Sequence, residues 1–186
     1  MKSLTVTAAV LLGSLLLPGF VAAADEKPPV SKADIVGREV RHELLMLPNL
    51  TLFDDLSYAI AGGPNGGAIV TLTGSVTRPV LKSSAVNVVK RLESVDSVVD
   101  KIEVLPLSPN DDRIRMAIYR KIYGDNVLST RYGFRAQPTI RIIVKNGNVR
   151  LTGVVANEGD KNIAGIRARE AAGTFTVVND LAVNPD

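Results

Sequence analysis

The chain has 186 residues, 46% of them hydrophobic and 22% charged, with a formal net charge of +3, one histidine, no cysteine and no tryptophan. The lack of cysteine excludes disulfides, thiol nucleophiles and cysteine-bound zinc. The single His42, read as a solvated residue of a surface helix, supports neither a histidine metal cage nor a Ser-His-Asp triad.

In chain order, Met1-Lys2-Ser3 is a short positive start, Leu4 to Val21 is largely apolar, and Ala22-Ala23-Ala24 precedes the charged Asp25-Glu26-Lys27. This is the pattern of a secretory signal peptide over residues 1–24, cleaved after Ala24, and it implies an exported protein. The apolar stretch is marginal beside the roughly 20 residues of a spanning helix. Residues 25–30 carry Pro28-Pro29 and read as a linker.

The remainder says one thing twice. Val70-Thr71-Leu72-Thr73-Gly74 returns as Val149-Arg150-Leu151-Thr152-Gly153, and the register then holds without a gap to Pro106 and Pro185. Such self-similarity implies two copies of one small domain, at 31–106 and 107–186, joined through Leu105-Pro106-Leu107.

Each copy opens with a helix. Ser31-Lys32-Ala33-Asp34 is a capping-box start, followed by Val36, Val40, Leu44 and Leu47 at the spacing of one helical face. Ser108-Pro109 opens the second copy, with Ile114, Ala117, Ile118 and Ile122 as its buried stripe. Two strands follow. Ile140, Ile142 and Val144 alternate with polar residues, Asn146-Gly147 turns the chain, and Val149 and Leu151 continue the alternation. In the first copy Leu56, Tyr58 and Ile60 lead through the longer loop Gly62-Gly63-Pro64-Asn65-Gly66-Gly67 to Val70 and Leu72.

Gly74 and Gly153 are expected to end the second strands, where a Cβ would hinder the backbone or a neighbour comes close. A second helix then buries Leu81, Ala85, Val88 or Val89, and Leu92 in one copy. In the other, Asn157 caps a helix that buries Ala164, Ala168 and Ala171 and stops at Gly173. Val98 to Val104 and Val177 to Val183 close the copies as last strands. The fold class is therefore α+β: two tandem αββαβ domains, each with helices on one face of a three-stranded sheet.

The V-x-L-T-G strand, the Ser-capped first helix, the Gly-bounded second helix and the Val-Val-(Asp/Asn) closing strand resemble the BON domain. That resemblance implies the same αββαβ order, in tandem behind a signal peptide, as in periplasmic proteins of the osmotically inducible type. It also implies association with phospholipid membranes and envelope components, and stress-protective or chaperone-like roles. The first copy departs at its Gly-rich loop, the second at Arg167, which stands where the first has Val88.

No catalytic constellation emerges, so no enzyme, cofactor or metal site is expected. The Gly-rich loop lacks the Lys-Ser/Thr of a phosphate loop and precedes a strand, so it reads as a flexible hairpin loop. Asp54-Asp55 lacks the further oxygens calcium needs and reads as a turn or solvated pair. Charge is more telling. Residues 25–106 hold nine bases and eleven acids, whereas residues 107–186 hold twelve bases and eight acids.

Strand alternation sends Arg141, Lys145 and Arg150 to the sheet face that the helices leave uncovered, and with Arg135 they form the candidate lipid- or anion-binding set. Either this face meets a phospholipid membrane or another anionic envelope component, or it is a solvated polar sheet face, or the first domain covers it. A separate role, as a protein-interaction or holdase module, would use Ile69 and Ile143 or an exposed strand edge. Export from the cytoplasm and modest charge argue against nucleic acid.

Overall fold

The computed structural model describes residues 31–134, 138–171 and 173–184. The expected signal segment and linker, together with Arg135, fall outside these residues.

Helix α1 (Lys32–Leu45) starts at the Ser31 capping box, in which Ser31 and Asp34 exchange hydrogen bonds. It is followed by β1 (Asp55–Gly62), β2 (Ala68–Val76), α2 (Pro79–Lys90) and β3 (Val95–Val104). β1 pairs antiparallel with β2, and β2 pairs parallel with β3. The four apolar positions expected of the first helix are buried, though Leu47 lies just beyond the end of α1, and they meet Val70, Leu72, Leu81, Ala85 and Val89 in the first core.

The second domain repeats the plan with α3 (Pro109–Tyr123), β4 (Ile140–Lys145), β5 (Asn148–Val155), α5 (Glu158–Arg169), β6 (Thr176–Asn179) and β7 (Ala182–Val183). Between α3 and β4 it adds a feature the sequence pattern did not reveal: the short turn α4 (Asn126–Leu128) and a π-helical turn, Ser129–Gly133. That insertion drives Leu128 and Tyr132 into a second core with Ile114, Ile118, Ile122, Ile140, Ile142, Val144, Val149 and Leu151.

Asp125 caps the turn and pairs with Arg167 at 2.9 Å, which explains why an arginine replaces the valine of the first copy. The fold class matches the α+β expectation. One closing strand differs: β3 runs unbroken for ten residues, whereas its twin is split into β6 and β7, with Leu181 buried between them.

Gly74 and Gly153 do not end their strands, which run on to Val76 and Val155. Their physical role is the one expected. Their φ values are +116° and +113°, and an added Cβ would overlap the carbonyl oxygens of Asp55 in β1 and of Thr139 just before β4. Both conformations are open to glycine and closed to other residues. Asn146 and Gly147, at φ +52° and +77°, make the two-residue turn that the sequence announces.

Candidate anionic-surface interface

The domains meet through the segment between α1 and β1. Asp54 is completely buried and accepts from the backbone and hydroxyl of Thr51 (2.9 and 2.6 Å) and of Thr77 (2.6 and 2.8 Å). This corrects the reading of Asp54 as solvated: its carboxylate is saturated by protein donors and rigidifies the segment. Leu52 and Phe53 then pack against the second core, and the Leu52 carbonyl accepts the Ile142 N–H at 2.8 Å.

Arg141 points at this segment and donates to the carbonyls of Asp54 (2.7 Å) and Thr51 (3.3 Å). Lys145 reaches across to Glu103 of β3. Ile143 is buried, and Ile69 is half-buried, so neither offers the open apolar surface expected of a holdase face.

Arg150 is different. It is 63% exposed and only 3.5 Å from Asp180, an exposed pair of little energetic weight. It lines an interdomain cleft of about 470 Å³ with Lys145, Glu103, Asp55 and Ile143. The acidic twin therefore lies beside the basic sheet face. The structure brings Arg141, Lys145 and Arg150 together on one face and engages the first two with the first domain.

The second domain's remaining bases are divided by their partners. Arg115 is buried between Asp112 and the Val144 carbonyl, Arg131 pairs with Asp160 at 2.6 Å, and Arg167 with Asp125 and Glu170. Arg113 and Arg120 have no ion pair among the described residues. With Met116 they occupy spacing i, i+3, i+7 on α3, opposite the Ile114–Ile118–Ile122 stripe, and all three are exposed.

Apolar residues interleave with these bases. Leu107, just ahead of α3, is 96% exposed, Met116 40% and Tyr119 36%. Sequence reasoning passed over this stripe because it followed the buried face of α3. The signal was present: arginines alternating with methionine and tyrosine where a solvated helix face would carry charge alone.

Among the described residues no helix is long and apolar enough to cross a membrane, and no three His, Asp or Glu side chains cluster to hold a metal ion.

The BON domain family model matches residues 65–106 and 110–185. No curated protein matches the chain. Among solved structures, CdsD, a structural protein of the type III secretion system of Chlamydia trachomatis, is 14% identical, with a TM-score of 0.32 over 82% of this chain and 93% of that one. A structure of the CdsD C-terminal domain is likewise 14% identical, with a TM-score of 0.32 over 80% and 96%. Likeness of this degree says nothing about function.

Proposed function

This chain belongs to the BON domain family, and from that premise we propose that it is a non-enzymatic cell-envelope module that attaches to anionic phospholipid through the outer face of α3. Membership supports the coarser reading, an envelope-associated module that binds lipid or protein. The exposed stripe of Arg113, Met116 and Arg120 beside Leu107 carries the finer one.

Each base near an anionic membrane contributes about 1 kcal/mol, and apolar side chains at the same depth add burial. Two arginines and two apolar residues suit weak, reversible and salt-sensitive attachment. Arg150, exposed on the sheet face, is an auxiliary contact. Arg141 and Lys145 contribute by holding the two domains in register. Export rests on the signal pattern of residues 1–24, and the periplasm as the site of action and a part in envelope or osmotic stress protection rest on the family resemblance.

Flotation with vesicles of phosphatidylethanolamine and phosphatidylglycerol tests the reading. The protein is expected to float with anionic vesicles and to sink with purely zwitterionic ones. Arg113→Glu combined with Arg120→Glu is expected to abolish flotation, and Arg150→Glu to weaken it slightly. Unchanged flotation of the double variant would overturn the assignment to α3.

A further inference from the structure

The two sheets begin with equivalent strands whose outer edges differ. Pairing fixes the equivalence: Leu56, Tyr58 and Ile60 face Gly74, Leu72 and Val70, just as Ile140, Ile142 and Val144 face Gly153, Leu151 and Val149. In β4 every second residue turns its backbone outward, and that edge is closed at three successive points. The Tyr123 hydroxyl donates to the Ile140 carbonyl at 2.8 Å, the Ile142 N–H donates to Leu52, and Arg115 donates to the Val144 carbonyl at 2.7 Å. Burial pushes the Tyr123 phenol up to about 12, so it remains a donor at any physiological pH.

The corresponding edge of β1 has no such closure. Among the described residues, no group outside the sheet bonds the backbone of Leu56, Tyr58 or Ile60. Where α3 places the capping Arg115, α1 has Gly37, whose carbonyl instead receives the Tyr58 hydroxyl at 2.8 Å. Nor is the edge protected chemically. Leu56 to Gly62 contains no charged residue and no proline, the usual guards of an exposed edge.

A groove runs between this edge and α1, formed by two adjoining hollows of about 370 and 430 Å³ that share Arg41 and Tyr58. Leu44, Leu56, Tyr58 and Ile60 make its apolar floor. Arg38 and Arg41 stand exposed on its rim with no ion pair among the described residues. The acid lining it, Asp34, is held in the Ser31 capping box and offsets part of the charge of Arg38, leaving Arg41 the less compensated of the two.

We infer that the β1 edge binds an extended, acidic segment of a partner protein, added as a fourth strand with its carboxylates against Arg38 and Arg41. On β4 the twin edge is met instead by the turn Thr51 to Asp54, in which Leu52 accepts the Ile142 N–H while Arg141 holds the carbonyls of Thr51 and Asp54, so an arginine beside a first strand already binds backbone in this molecule. Main-chain pairing supplies affinity without sequence demands, and the arginine rim supplies selection by charge. The site is distinct from the α3 stripe, so the inference does not rest on lipid binding.

The test is a titration of the isotopically labelled protein with a fluorescent nine-residue peptide alternating threonine or valine with glutamate. Two control peptides share its length: one with lysine in place of glutamate, the other with alternate amides N-methylated. The expected result is binding of the glutamate peptide, with the largest amide shifts at Leu56, Tyr58 and Ile60. Binding should be weakened roughly tenfold by Arg38→Glu with Arg41→Glu and lost on N-methylation.

Equal binding of the lysine or N-methylated peptide overturns the proposal, as does no binding at millimolar peptide. Shifts of the same amides with protein concentration alone would assign the edge to a second copy of this chain and overturn it equally.

Discussion

The two domains solve one problem with different atoms. Each has to fasten its β-hairpin, and each does so with a carboxylate that accepts two loop amides. In the second domain the acceptor is Asp111, buried in the first turn of α3, which takes the N–H groups of Asn146 and Gly147 at 2.8 Å each. In the first it is Asp96 at the start of β3, exposed, which takes those of Asn65 and Gly67 at 3.1 and 3.2 Å. The Gly-rich loop is thus a tethered turn and not only a loose connection. The strand edges differ in the same sense: the second domain buries the carboxylate that ties its hairpin and closes β4, while the first ties its hairpin at the surface and leaves β1 open. The two copies share the pattern of their cores and differ at their surfaces.

The largest expected effect concerns what the twins share. Gly74→Ala and Gly153→Ala each force a Cβ onto a neighbouring carbonyl at positive φ, and each should cost more than about 3 kcal/mol in urea unfolding. A cost below about 1 kcal/mol in either strand would show that the two bends are not equivalent.

The fasteners should separate the twins next. Asp111→Ala leaves two amides without a partner at a buried turn and should cost about 2–3 kcal/mol, whereas Asp96→Ala exposes its amides to water and should cost under about 1 kcal/mol. Equal losses would remove the distinction between buried and surface fastening.

A subtler difference should appear in acid. Burial pushes the Asp160 carboxyl up, but hydrogen bonds from Arg131 and Tyr132 outweigh it and hold the group below its ordinary value. Hydrogen bonding, first from the Leu128 amide, likewise lowers Asp125. A carboxyl lowered by folding contributes stability that is complete above its unfolded value, near 4, and is lost as pH falls through its folded one. The first domain has one lowered carboxyl, Asp34, whose exposed capping box is screened by water, so the second domain should soften first below about pH 4, seen as earlier loss of amide protection at Leu151 than at Leu72. Asp160→Asn should flatten that pH dependence, and a profile identical to the parent's would show that Asp160 does not govern it.

Much of the fold was legible because burial has a period. The α1 positions Val36, Val40 and Leu44, with Leu47 just beyond the helix, and the β4 positions Ile140, Ile142 and Val144, are all buried as the spacing requires. The inserted turn at 126–133 was not legible, since a short helix with one buried leucine and one buried tyrosine has too few residues to show a period. Of the site, the sequence exposed the charge asymmetry but not its disposition. Arg141 was placed on the correct strand face, yet its partners could not be foreseen.

By itself, then, the sequence determined which residues of each element turn inward, where glycine alone could stand, and that one unit occurs twice. Only the tertiary structure decided which surface of one copy covers which surface of the other, which arginines remain available at the surface, and which strand edge stays open. The physical reason is that periodicity records burial without recording the neighbour that provides it. Arg141 is held by backbone carbonyls of Thr51 and Asp54, 90 and 87 residues away, and every residue carries such a carbonyl.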